Sequence, residues 1–276
     1  MLKNVDQETV EGFGDEWSTF DHSTSREDLQ ISFDAYFSQF PWASLPANAR
    51  GFDAGCGSGR WARMAAPRVG ELHCVDASDK ALDVARSNLA GLPQCRFHLA
   101  SVSEMPFEDG SMDFGYSLGV LHHTPDTAGA LAACARKLKP GAPFLVYLYY
   151  AFDNRPPWFQ QVWKASDVLR RRICHLPFGQ RRAVTDALAA TVYLPLARGA
   201  RALERLGFDV DVVPLSSYRD KSFYTMRNDA LDRFGTRLEQ RFSRAQINEM
   251  MQAAGLADIT FREGPPYWCA VGRKAR

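Results

Sequence analysis

The stretch Gly51-Phe-Asp-Ala-Gly-Cys-Gly-Ser-Gly59 limits what this chain can fold into more than any other. A short apolar run enters three glycines at alternate positions, Gly55, Gly57 and Gly59, and a helical pattern starts at Arg60. Such glycines let the backbone turn sharply and leave main-chain N–H groups at a helix start open to a ligand. A strand, loop and helix in that order feed a parallel sheet covered by helices, and residues 50–150 continue the alternation. Strands are predicted at 51–54, 72–76, 96–100, 112–118 and 143–149. One helix is predicted to start at Ser78 as N-cap, with Ala81, Leu82, Ala85 and Leu89 on one face. Another follows Thr124-Pro125-Asp126, with Pro125 in its first turn, and stops at Lys139-Pro140-Gly141. Ser243 and Gln246 form a capping box before Ile247, Met250 and Met251, and Gly255 ends that helix. Strands at 258–262 and 267–272 are then expected to close the sheet as a hairpin around Gly264-Pro265-Pro266.

Asp76 ends the second predicted strand, seventeen positions after Gly59, where a carboxylate can accept hydrogen bonds from both hydroxyls of a ribose. Dinucleotide-binding proteins share that arrangement, but their glycines are spaced G-x-G-x-x-G, whereas here they alternate and follow Asp53. With Val75-Asp76-Ala77-Ser78, the run Met105 to Phe114, Ser117-Leu-Gly-Val-Leu-His-His-Thr-Pro-Asp126 and Leu138-Lys-Pro-Gly141, the pattern resembles class I S-adenosylmethionine-dependent methyltransferases. Within them it is most similar to the ubiquinone/menaquinone-type branch, which mostly modifies small molecules. The resemblance covers residues 50–150, with weaker support from 243–272.

That resemblance implies an α/β, Rossmann-like methyltransferase fold: a mostly parallel seven-stranded sheet with an antiparallel C-terminal strand, plus a helical insertion. It implies S-adenosyl-L-methionine as cofactor and methyl transfer to an O, N or C atom of a small metabolite. Asp53, Gly55, Cys56 and Gly57 would surround the methionine part and Gly59 would shape the loop. Asp76 would hold the ribose, Ala77 would lie beside the adenine, and Val102, Leu118 and His122 would line the rest. Where the family often carries an acid, this chain has Ala100-Ser101-Val102, so Ser101 would meet the adenine amino group with a weaker acceptor than a carboxylate. The alternatives are a non-methylating relative that holds the same cofactor, a nicotinamide-dependent reductase, and a binding module without activity.

A methyl on a sulfonium is already activated, so alignment of the acceptor is the main requirement, worth on the order of 7–11 kcal/mol in favourable cases. His122 and His123 follow the fourth strand and titrate near neutrality, which makes them the candidate bases. Equally, they can pack on the cofactor and cap the next helix. Tyr147 and Tyr150 at the end of the fifth strand, and Trp17 in an aromatic N-terminal lead, are candidate pocket residues. No metal is implied.

The organisation that follows is an N-terminal helical lid at 1–49, a core at 50–150, a substrate-covering insertion at 151–242 and a C-terminal helix and hairpin at 243–276 that completes the core sheet. Formal net charge is only +1, so no overall field draws in nucleic acid, and the motifs of base-modifying enzymes are missing. Charge is unevenly spread: residues 1–34 balance at −7 and residues 155–205 at +7. The Arg-rich helices suit an acidic or phosphorylated acceptor, a membrane surface bearing a lipid-like one, or the acidic lead of the same chain or of a second copy in a homo-oligomer. Residues 184–206 are helical in character, with an interruption expected at Pro195. The six cysteines show no zinc or disulfide spacing, and the N-terminus lacks an apolar leader core; a cytoplasmic protein with reduced thiols and no transmembrane segment is expected.

Overall fold

The computed structural model describes residues 2–19, 26–210 and 212–276. The chain divides into two compact units, Met1–Ala151 with Leu238–Arg276, and Phe152–Arg237. In the first, β1 (Arg50–Ala54), β2 (Glu71–Asp76), β3 (Cys95–Leu99), β4 (Phe114–Leu118), β5 (Pro143–Tyr147), β6 (Leu256–Phe261) and β7 (Cys269–Lys274) form one sheet. Its order is β3-β2-β1-β4-β5-β7-β6, and β7 alone runs against its neighbours. The sheet is the Rossmann-like one the motifs imply, with the C-terminal hairpin closing it.

Both faces are covered, as parallel strands require. On one face Phe52, Val75, Phe144 and Val146 pack with Leu131 and Cys134 of α5 (Thr127–Lys137) and Ile247 and Met251 of α10 (Arg244–Ala253). On the other, Leu72, Phe114, Tyr116 and Leu145 meet Phe33 of α2 (Arg26–Tyr36), Trp61 of α3 (Arg60–Ala65) and Leu82 and Ala85 of α4 (Asp79–Asn88). An N-terminal helix, α1 (Gln7–Thr19), lies along α4. Ser78 caps α4 by accepting the Ala81 N–H, and both bonds of the Ser243/Gln246 capping box are present.

Several element ends differ from the sequence reading, each for a local reason. β4 begins at Phe114 because Met112 makes only an isolated bridge to Leu138. β5 ends at Tyr147 because the Tyr149 N–H turns to His122 Nδ1 at 3.4 Å. The N-cap of α5 is Asp126, whose side chain accepts the Gly129 N–H, so Pro125 precedes the helix instead of sitting in its first turn. Pro195 does not break its helix either. A π-helical turn at Ala189–Tyr193 runs straight into α8 (Leu194–Arg205), and the wider turn ahead of the proline makes room for a residue that has no N–H to give.

The second unit holds α6 (Pro157–Ile173), α7 (Phe178–Leu188), α8 and α9 (Phe223–Gly235) around Ile173, Ala189, Tyr193, Met226 and Phe234. Part of its basic character is spent internally. Arg170 is buried, bonded to Asp167 and to the carbonyls of Thr236 and Arg237, and Arg227 grips Asp186 through two nitrogens at 2.8 and 2.7 Å.

Two glycines decide how closely the central strands approach. Gly51 is paired with Phe114 and Phe52 with Gly115, so each phenyl ring lies over the opposite glycine. A β-carbon on Gly115 would sit 2.3 Å from the Phe52 ring. Gly115→Ala therefore forces that ring from its place and is expected to lower stability by about 1–3 kcal/mol, read as a drop in the urea midpoint with the same far-UV spectrum.

Candidate functional site

The residues singled out in the sequence gather where doubly wound sheets bind ligands, at the C-terminal ends of the parallel strands. Gly55, Gly57 and Gly59 all take positive φ, at 81°, 53° and 79°. That backbone is open to glycine without strain. The Gly55 and Cys56 N–H groups both donate to the Val75 carbonyl, at 2.8 and 2.9 Å, and Asn88 donates to the Ser58 carbonyl at 2.9 Å. Space is tight as well: a β-carbon on Gly55 would meet Val120 at 2.3 Å.

Asp76 ties this loop to the next strand. One carboxylate oxygen accepts the Gly57 N–H at 2.8 Å and the other the Ser78 N–H at 2.9 Å. Burial raises its pKa above the ordinary carboxylate value, and the N–H groups of Ser78, Gly57 and Ala77 oppose the shift. Each oxygen accepts one of these bonds and retains capacity for another donor.

Asp53 is the opposite case. It is buried, and neither oxygen has a hydrogen-bond partner among the described residues. Burial pushes its carboxyl up to about 8. The neighbouring Tyr116 phenol offsets part of that shift but falls short of hydrogen-bonding geometry, so its hydroxyl is unpartnered too. The Ser58 hydroxyl is also buried without a partner. Buried polar groups left in this state are costly until a donor or cation reaches them. Ser101 is buried and accepts the Ser103 N–H at 3.1 Å, which leaves one lone pair; Val102 and Leu118 are buried on opposite faces of the sheet.

The histidine pair follows β4 in a tight turn, and both side chains are buried. Their hydrogen bonds set different tautomers. His123 Nδ1 lies 2.7 Å from the Leu238 carbonyl, which can only accept, so the proton sits on Nδ1 and Nε2 carries a lone pair. His122 Nδ1 receives the Tyr149 N–H, so its proton sits on Nε2. Burial first, then His123 and Arg241, hold His122 well below the ordinary imidazole value. Both Nε2 atoms are buried without partners among the described residues. The Tyr149 ring stacks on His122 at 3.9 Å, and Phe13 of α1 meets His123 edge-on at 4.9 Å.

The two candidate pocket tyrosines part company. Tyr147 packs against Tyr36 on one face of the sheet, while Tyr150 packs with Tyr267 and Trp268 on the other. The side chain of Trp17, with Phe20 and His22, lies outside the described residues. The beginning of the chain nonetheless reaches the strand ends: Asn4 donates to the Asp126 carbonyl at 2.8 Å and accepts the Asp126 N–H at 2.7 Å, and Gly14 lies against Ser78. Tyr116, Val120 and Leu238 are site residues the sequence reading missed. A hydroxyl on a fully buried strand was a usable signal for Tyr116, whereas Leu238 stands 115 positions from His123 and carries none.

Residues 52–146 match the family model described as a methyltransferase domain. The chain is 36% identical over 97 residues to the ubiquinone biosynthesis O-methyltransferase of Aromatoleum aromaticum, a match covering 34% of this chain and 42% of that protein. It is 29% identical over 177 residues to a 37.1 kDa protein of a Streptomyces fradiae transposon, covering 61% of this chain and 46% of that one. The chain thus spans about half the length of the curated relatives it matches. Among solved structures, Haemonchus contortus phosphoethanolamine N-methyltransferase 2, in complex with phosphomonomethylethanolamine and S-adenosylhomocysteine, superposes with a TM-score of 0.51 at 17% identity, over 92% of this chain and 43% of that one. That likeness concerns the fold.

Asp53 makes a prediction that needs no ligand. Because its folded pKa is raised, its contribution to stability is complete below about pH 4 and is lost as pH rises through about 8. Asp53→Asn, which stays neutral, should melt higher than the parent at pH 8 by on the order of 2 kcal/mol in stability, with the gap closing toward pH 4.

Proposed function

We propose that the class I methyltransferase domain carried by this chain moves a methyl group from S-adenosylmethionine to a small-molecule acceptor. The observation that carries the reading is Asp53: a buried carboxyl whose two oxygens have no partner among the described residues, set at the end of β1 where the glycine loop begins. An ammonium group is the partner that such a site lacks, and the methionine part of this cofactor supplies one. The rest of the pocket suits the same molecule. Asp76 has acceptor capacity left for the two ribose hydroxyls, and Ser101 keeps a lone pair for the adenine amino group. When bound, the cofactor supplies an electrophilic methyl on a sulfonium.

What the protein adds is alignment, exclusion of water and a place for a proton. We assign the proton to His123, because its Nε2 is the nitrogen of the pair left with a lone pair, and to His122 a packing and donor role. A base is useful only for an acceptor that must lose a proton, which favours a hydroxyl or a protonated nitrogen over carbon. The similarity to an O-methyltransferase supports oxygen first.

Titration calorimetry with S-adenosylhomocysteine and with NAD tests the cofactor assignment. Binding of the first and not the second is expected, and Asp76→Ala should weaken it by about tenfold or more through loss of charge-assisted hydrogen bonds. Strong NAD binding without the homocysteine product would reject the reading. For the base, methyl incorporation from labelled cofactor into a cell metabolite extract should fall by about 10²- to 10⁴-fold in His123→Gln. His122→Gln should fall less than His123→Gln in the same assay.

A further inference from the structure

Asp53 sits in the middle of a row that offers a charged carboxylate no counter-charge. Its partners in register across the sheet are Cys74 of β2 and Tyr116 of β4, followed outward by Phe97 of β3 and Leu145 of β5. Residues paired in register share a face, and Phe52 and Ala54 on either side of Asp53 belong to the opposite one. The carboxyl therefore lies on the face of Tyr116, Cys74 and Trp61. The other groups that act on it do little to hold a charge. Asp76 of β2 repels one, Cys95 of β3 and Cys56 of the loop are buried thiols, and Arg60 of α3, its guanidinium over the Trp61 ring at 4.7 Å, exerts only a weak pull. With both oxygens buried and unpartnered among the described residues, ionisation is costly, so the free protein keeps this proton at neutral pH.

Tyr116 is the complementary half. Phe37 meets its ring edge-on at 5.1 Å, and its hydroxyl is buried beside Asp53 without a hydrogen-bond partner among the described residues. A phenol next to a carboxyl gains most when the carboxyl is charged, because a hydrogen bond to an ionised acceptor is roughly twice as strong as one between neutral groups. Neither group completes the other until something else stabilises the charge. An ammonium group brought to Asp53 by the cofactor does so.

Resting on the reading of this site as one for S-adenosylmethionine, we propose that cofactor binding expels one proton, the Asp53 O–H bond breaking as the ammonium arrives and the proton leaving to the buffer, and that Tyr116 is a positioning residue whose hydroxyl donates to the carboxylate so formed. The probe is S-adenosylhomocysteine, titrated calorimetrically into the full chain in phosphate and in Tris, whose protonation heats differ. At about pH 6.5 about one proton should be released per molecule bound. Kd should fall about tenfold per pH unit and level off above about pH 8, where Asp53 is already ionised in the free protein. The infrared band of a buried protonated carboxyl should vanish as the parent saturates, and Asp53→Asn should lack that band from the start, which identifies the residue even in a variant that binds weakly. Tyr116→Phe should bind about tenfold or more weakly and level off at a higher pH than the parent, a shift that lost packing does not produce. Equal heats in the two buffers with a flat Kd, or a carboxyl band missing from the free parent or surviving saturation, would overturn the proton release and leave the cofactor reading intact. Levelling off at the parent's pH in Tyr116→Phe would overturn the role of Tyr116. Failure of S-adenosylhomocysteine to bind at any pH would overturn both the release and the cofactor reading.

Discussion

A single carboxylate holds the site in register with the sheet. Asp76 takes one N–H from the glycine loop and one from the turn into α4, so the end of β2, the loop after β1 and the next helix start share one anchor. It fixes the middle of the three positive-φ glycines, while the Val75 carbonyl holds Gly55 and the Cys56 carbonyl holds Gly59, so the loop has its shape before any ligand arrives. The Gly51/Phe114 and Phe52/Gly115 pairs do related work one layer down, letting β1 and β4 close up beneath the loop. Pre-organisation of this kind transfers ordering cost from binding to folding.

Against that rigid anchor stands a set of groups kept short of partners. Asp53, Tyr116, Ser58 and the Nε2 atoms of His122 and His123 are buried and unpaired among the described residues, all at one end of the sheet. Native interiors hold few such groups, and each of them costs stability until a partner reaches it. The histidines show how fine the division is. Adjacent in sequence and 4.0 Å apart by ring centre, they differ in tautomer because one faces a backbone carbonyl and the other a backbone N–H.

The insertion shows a different economy. Its arginines are not uniformly a solvated face: Arg170 and Arg227 are committed to internal bonds, while Arg172 and Arg205 are exposed and make no hydrogen bond or ion pair among the described residues. A tally of charge along the sequence treats these alike. Helical spacing separates the apolar positions into stripes, but whether a stripe is inside or outside depends on what the neighbouring helices cover.

Local chemistry in the chain was enough for much of this. The alternate glycines, Asp76 at a strand end, Ser78 as N-cap and the Ser243/Gln246 box act over a few residues, so their consequences could be read before any coordinates, and the mostly parallel seven-stranded sheet with its antiparallel strand came with the resemblance those motifs carry, though not the order of its strands. Where neighbouring groups compete for the same short stretch, the reading slipped: Asp126 took the cap that moved Pro125 outside its helix, a π-helical turn accommodated Pro195, and His122 drew the Tyr149 N–H away from β5. Tertiary structure alone decided the protonation pattern of the histidines, the isolation of Asp53 and the separation of Tyr147 from Tyr150. Burial and hydrogen-bond partners at those positions come from residues far along the chain, and no local pattern encodes which distant carbonyl, ring or void a side chain will face.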